Sequence, residues 1–232
     1  MDIQKVSDEF LKLSIESKYS YNFKWLDRPI IQYPQDIVAF QEIVSSIKPD
    51  LIIETGIAHG GSLILSASLL CILDLLEGKD PRESKRSVIG IDIDIRKHNK
   101  EEILKHPLSY KIKLIEGSSI DQNIIKEVKN ISKKFNKVLV ALDSNHSHRH
   151  VLSELEAYAN LVSKHSYCIV FDTIIENLPK NSFPDRNWEV GNNSMTAVKE
   201  WLNSNPNFKI DKEIDKKLLI SCAPNGYLKR LN

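Results

Sequence analysis

Five short runs of aliphatic residues, each followed by a stretch with a polar face, constrain this chain more than any other feature. They cover residues 51–54, 88–92, 112–115, 138–143 and 167–172, and Val, Ile and Leu dominate them. Strands covered on both faces read this way, as in a parallel sheet. The stretches at 62–76, 97–105, 121–133 and 150–164 have helical spacing. Alternating β and α elements predict an open α/β sheet with helices on both faces and ligands beyond the carboxyl ends of its strands. A chain of 232 residues suits one such domain and gives it ample core.

The two ends depart from the pattern. The first 45 residues are expected to form an extension to a domain at 46–232. They hold one helix and the aromatic stretch Tyr19-Ser20-Tyr21-Asn22-Phe23-Lys24-Trp25-Leu26. Packing on the domain or a neighbouring subunit is the favoured role for that stretch, with a substrate wall as the alternative. Near the other end, 194–202 reads as a helix started by Ser194, followed by strands at 208–214 and 218–223 forming an antiparallel hairpin. The polar segment 174–193, with Pro179 and Pro184, is long for a connection and is a candidate lid.

Several classes drop out. Lys and Arg number 32 against 31 Asp and Glu, so no net field draws the chain to nucleic acid or anionic membrane. The apolar stretch at 63–73 is shorter than the ~20 residues of a membrane span. The first twenty residues show no signal-peptide core. Cys71, Cys168 and Cys222 lie far apart and read as buried free thiols in a reducing compartment. A cytoplasmic protein is expected.

Glycine is scarce, at 8 residues in 232, yet Gly56, Gly60 and Gly61 fall together in Leu51-Ile52-Ile53-Glu54-Thr55-Gly56-Ile57-Ala58-His59-Gly60-Gly61-Ser62. Such a turn from strand to helix gives a ligand room to approach the backbone, with Gly90 and Gly117 on the same rim. The residues expected around a cofactor are Glu54, Gly56, Ala58, Gly60 and Ser62. Glu54 would receive a cationic amino group. Asp92, ending the second strand, would accept ribose hydroxyls, with Asp94 as the alternative. Ser118 and Ser119 either meet an adenine edge or cap the helix near Asp121. A nicotinamide dehydrogenase would want GxGxxG and an acid ~20 residues on; here Ala58 stands at the second glycine. No GxxxxGK[ST] occurs. An acid ahead of the glycines, no demand for pyrophosphate and a terminal hairpin point instead to S-adenosylmethionine.

The fourth strand runs into Leu142-Asp143-Ser144-Asn145-His146-Ser147-His148-Arg149-His150. A solvated helix start capped by Asp143 is one reading, and a zinc hydrolase is another, though the further ligands of a zinc signature are not evident. Asp143 and Asp172 end adjacent strands beside the cofactor crevice, where two carboxylates can share a hard cation such as Mg²⁺. No HxD or HxE supports an iron oxygenase.

The chain resembles class I S-adenosylmethionine-dependent methyltransferases, and more narrowly the cephalosporin hydroxylase/rhamnosyl O-methyltransferase family. The resemblance rests on Ile53-Glu54-Thr55-Gly56, Ile89-Gly90-Ile91-Asp92-Ile93-Asp94, Leu142-Asp143-Ser144 with His146 and His150-Val151-Leu152, Phe171-Asp172-Thr173-Ile174-Ile175-Glu176, Thr196-Ala197-Val198, and Ala223-Pro224-Asn225-Gly226-Tyr227-Leu228-Lys229-Arg230. It implies a Rossmann-like, mostly parallel seven-stranded sheet, S-adenosylmethionine, often a divalent metal, frequent homo-oligomers, and O-methylation of a hydroxyl on a sugar, glycolipid, polysaccharide or natural product. By the same analogy Asp143 and Asp172 would bind metal and His146 would be the general base, with Asp143 also near the cofactor. Phe171 stands where metal-dependent relatives tend to carry an acid, leaving the third position to water or Glu176. His150, Arg186, Trp188 and Asn193 are the candidates for contact with the acceptor. The alternatives are a non-catalytic cofactor-binding protein and an NAD-dependent oxidoreductase.

Overall fold

The structure, a computed structural model, describes residues 2–232. Helix α1 (Ile3–Glu16), a two-stranded antiparallel ribbon of β1 (Phe23–Trp25) and β2 (Arg28–Ile30), and helix α2 (Pro34–Ile47) precede the sheet. The sequence predicts one helix here, and there are two. Pro34 opens α2, where its missing N–H costs nothing, and Lys48 in a left-handed conformation closes it. The aromatic stretch packs on the domain: Tyr19 meets Phe10, Phe23 and Tyr33, and Trp25 Nε1 donates to Ser68 Oγ at 3.0 Å.

Then follow β3 (Leu51–Thr55), α3 (Gly61–Leu76), β4 (Ser87–Asp92), α4 (Lys97–Lys105), β5 (Ile112–Glu116), α5 (Gln122–Ser132), β6 (Val138–Leu142), α6 (His148–Tyr158) and β7 (Tyr167–Val170). After them come α7 (Ser194–Asn203), β8 (Phe208–Ile210), α8 (Lys212–Leu218) and β9 (Tyr227–Arg230). The seven strands lie in the order β5-β4-β3-β6-β7-β9-β8. Five are parallel, and β9 runs antiparallel to both β7 and β8. One apolar cluster, including Ile52, Leu63 and Phe40, packs on one face of the sheet. A second, including Ile53, Val151 and Val198, packs on the other. Both faces are covered, which is why the strands read as unbroken apolar runs.

The antiparallel strands are present, but not as the hairpin drawn from the sequence. Residues 212–218 are helical, and the last strand begins at Tyr227 rather than at 218. Asp211 caps α8, with Glu213 and Asp215 in its first turn and Lys216 and Lys217 in its last. That charge order suits a helix dipole and outweighs the alternating pattern that suggested a strand. Buried Asp36 on α2 holds the segment before β9. It accepts from Ser221 Oγ at 2.5 Å, Cys222 N at 2.8 Å and Tyr227 Oη at 2.7 Å.

The chain leaves β3 toward β4 and β5 on one side and returns to β6 on the other. The carboxyl ends of β3 and β6 therefore flank a topological switch point, where ligands bind in such sheets. Among the described residues, no helix is long and apolar enough to cross a membrane.

Candidate functional site

The loop after β3 passes the start of the segment after β6 at backbone contact. Gly56 has φ +81°, and a Cβ there would stand 2.0 Å from the Asp143 carbonyl oxygen. A Cβ on Gly61 would stand 2.3 Å from the Pro29 carbonyl oxygen on β2. These glycines let two segments of protein touch, a purpose the sequence reading gave to a ligand. Gly90 is not on the rim: it lies within β4, facing Leu63 of α3.

Asp92 braces the loop from the end of β4. Its Oδ2 accepts from Ile57 N at 2.8 Å and Ala58 N at 3.4 Å, and its Oδ1 accepts from Asp94 N at 3.1 Å. Oδ1, with a single donor, keeps a lone pair for a ribose hydroxyl. Asp94 itself is exposed. Glu54, buried at the end of β3, accepts from the Ser62 hydroxyl at the start of α3. Burial pushes its carboxyl up to about 7, and among the described residues it makes no salt bridge. A buried carboxylate without a cation suits an ammonium group of a ligand.

Asp143, His146 and Asp172 converge beside this loop, each offering one ligand atom within 4.8 Å of the others. His146 Nε2 lies 2.9 Å from Asp172 Oδ2. Asp172 has φ +54°, a left-handed turn directly after β7. The Asp143 carboxyl is held well above the usual range, first by burial and then by the charges of Asp172, Glu54, Glu154 and Asp36. The two carboxylates of Asp143 and Asp172, grouped with His146, fit a site for a divalent cation, which would offset their repulsion. Glu176, an alternative for the third position, is turned away: its Oε2 accepts from Gly191 N at 2.8 Å and Asn193 Nδ2 at 2.6 Å. His146 is the third group beside the two aspartates. Phe171 is core.

Neither reading of the histidine run as a solvated helix start nor Asp143 as its cap fits the structure. Ser147 is the N-cap residue of α6, and Asn145 Oδ1 accepts from its N–H. The three histidines point three ways. His146 meets Asp172 and the edge of Trp188, with ring centroids 5.5 Å apart. His148 turns to Thr196 and Glu200 on α7. His150 Nε2 lies 3.0 Å from Ser119 Oγ and 3.1 Å from Ser144 Oγ, so it sits with the cofactor candidates rather than beside Trp188. Ser144 in turn donates to buried Glu154 at 2.7 Å. Asp121, not Ser118 or Ser119, caps α5, which leaves the cap role for those serines without support.

The segment between β7 and α7 packs on His146 through Trp188. Trp188 is buried between His146 and Phe183, and the Arg186 guanidinium lies 5.9 Å from its ring centroid. Asn193, expected at the acceptor, is fully buried. Its Oδ1 accepts from Met195 N and Thr196 N in the capping box of α7, and its Nδ2 donates to Glu176 and Glu189. Helix capping is its role here.

Comparison with known proteins agrees with this fold. A family model described as Rhamnosyl O-methyltransferase/CmcI matches residues 17–231. The Rhamnosyl O-methyltransferase of Mycobacterium tuberculosis (strain H37Rv) is 28% identical over 202 residues, covering 84% of this chain and 73% of that protein. The protein of the same name from Mycobacterium leprae is 23% identical over 208 residues, covering 89% and 82%. A solved structure named cmcI-D160 Mg-SAM superposes with a TM-score of 0.62 at 18% identity, covering 91% of this chain and 78% of that one.

Proposed function

The chain belongs to the rhamnosyl O-methyltransferase/CmcI family and is an S-adenosylmethionine-dependent O-methyltransferase, and we propose that it methylates a hydroxyl of a sugar-bearing acceptor at Asp143, His146 and Asp172. The convergence of those side chains beside the Glu54 loop carries this reading. The relatives named Rhamnosyl O-methyltransferase support a rhamnosyl group or similar sugar as the part of the acceptor that is methylated.

When bound, S-adenosylmethionine supplies an electrophilic methyl group and a divalent cation such as Mg²⁺ lowers the pKa of an acceptor hydroxyl. Glu54 would receive the ammonium group of the methyl donor, with Gly56, Ala58, Gly60 and Ser62 in the loop that would hold it. Asp92 would accept from its ribose, and Ser118, Ser119 and Asp143 would hold its adenosine. Asp143 and Asp172 would hold the cation. His146 takes the hydroxyl proton. Asp172, bonded to His146 Nε2, fixes the tautomer that leaves Nδ1 free to accept. Trp188, with Arg186 at its edge, walls the acceptor side. Much of the rate comes from holding the acceptor oxygen in near-attack geometry. Residues 2–45 brace the catalytic domain at 46–232.

The tight grouping of the three side chains favours a second reading, in which His146 is a third metal ligand. Mg²⁺ titration of His146→Ala separates the two. A base leaves metal affinity within about threefold while turnover falls 10²-fold or more, whereas a ligand loses both. Calorimetry with S-adenosylmethionine, S-adenosylhomocysteine and NAD, followed by methyl transfer to a panel of rhamnosides and other glycosides, tests the function itself. Cofactor binding without transfer to any glycoside would favour a non-catalytic binding protein, and NAD binding would favour an oxidoreductase.

A further inference from the structure

The cofactor loop is held by a residue far from it in sequence. Gly56, Ala58 and Gly60 all have positive φ, at +81°, +46° and +84°. Ala58 adopts this left-handed conformation without glycine's freedom, so the loop shape depends on what grips it. Asp92 takes its N–H groups. Its carbonyls are taken from the opposite side. Arg28 Nε and Nη2 both donate to the His59 carbonyl, at 3.0 and 2.6 Å, and Nη2 also donates to Asn99 Oδ1 at 3.1 Å. Asn99, buried on α4, passes the link on: its Nδ2 donates to the Ala58 carbonyl at 2.9 Å. One residue after Arg28, the Pro29 carbonyl fills the space that a side chain at Gly61 would need.

We propose that Arg28 is a positioning residue for the methyl donor, latching the 56–61 loop in its binding shape through the His59 carbonyl and through Asn99. The N-terminal ribbon is thereby part of the cofactor-binding unit. The inference rests on the reading of this loop as the S-adenosylmethionine site. The chemistry needs arginine: a planar guanidinium donates twice to one carbonyl and once to an amide, whereas a lysine ammonium on a flexible stem cannot hold that fork. Without the latch the free loop samples other shapes, and apparent affinity falls by the fraction of time it is misfolded.

The test compares wild type, Arg28→Ala and Arg28→Lys by calorimetry with S-adenosylhomocysteine, and by amide hydrogen exchange of the cofactor-free proteins. Arg28→Ala is expected to weaken binding by about ten- to a hundredfold, the weight of charge-assisted bonds. Arg28→Lys is expected to fall between it and wild type. Added ethylguanidinium should restore affinity to Arg28→Ala and leave wild type unchanged. The Gly60 amide, bonded to the Ile57 carbonyl, should exchange at least about tenfold faster in Arg28→Ala, with amides of β3 unaltered. Binding by Arg28→Ala within twofold of wild type, or unchanged exchange at the loop, overturns the latch alone. Failure of wild type to bind S-adenosylhomocysteine at all removes the methyltransferase site and the positioning role with it.

Discussion

Glu54→Gln should stabilise the cofactor-free protein as pH rises while weakening its grip on the methyl donor. Glu54 is 3% exposed, its side chain bonded among the described residues only to the Ser62 hydroxyl, and burial lifts its carboxyl from 4.5 to about 7. The folded protein therefore keeps a proton that the unfolded chain releases above pH 4.5. Ionising this group in the folded state costs stability, and the cost grows as pH climbs from there to about 7, then levels off. At about 1.4 kcal/mol per unit, the advantage of Gln over Glu should be about 2.5 kcal/mol larger at pH 8 than at pH 5. Gln keeps the bond from Ser62 and does not titrate. Urea unfolding of both proteins at several pH values measures this directly. Cofactor binding should run the other way. The ionised fraction of Glu54 rises from about one tenth at pH 6 to about nine tenths at pH 8, so wild-type affinity should tighten about tenfold across that interval. The Gln variant should be weak and lack this slope. A stability difference that does not change with pH, or an equal pH slope of binding in both proteins, would refute the assignment of Glu54 to the ammonium group.

Three further outcomes follow from the site. Gly56→Ala should cost about 2–4 kcal/mol in urea unfolding, combining a positive φ with a Cβ driven into the Asp143 backbone; a loss below about 1 kcal/mol would mean the β3 and β6 ends are not locked together. Asp172→Asn should lower Mn²⁺ or Mg²⁺ affinity at least about tenfold while S-adenosylhomocysteine binding stays within about threefold, and unchanged metal titration would remove Asp172 from the cation site. Trp188→Ala should raise KM for the acceptor about tenfold with cofactor affinity unaltered, whereas an equal loss of both would make Trp188 a support for the whole crevice.

Local pattern was enough to place the parallel strands and most helices, because strands covered on both faces must be apolar along their whole length and the helices between them must not. It also put Glu54, Asp92, Asp143 and Asp172 at strand ends, since a carboxylate closing an apolar run has few other places to go. The C-terminal segment misled because Phe208 to Ile214 alternates like a strand, while the Asp211 cap and the charge order of α8 decide for helix. Only the tertiary structure assigned partners. Whether Gly56 faces a ligand or the Asp143 backbone is the same fact to a sequence, because both demand a missing Cβ. Which histidine of the run meets Asp172 depends on where α6 begins and how the loop before it lies against the end of β7. The link from Arg28 to His59 spans 31 residues and ends on a backbone carbonyl, an atom every residue carries and no sequence distinguishes.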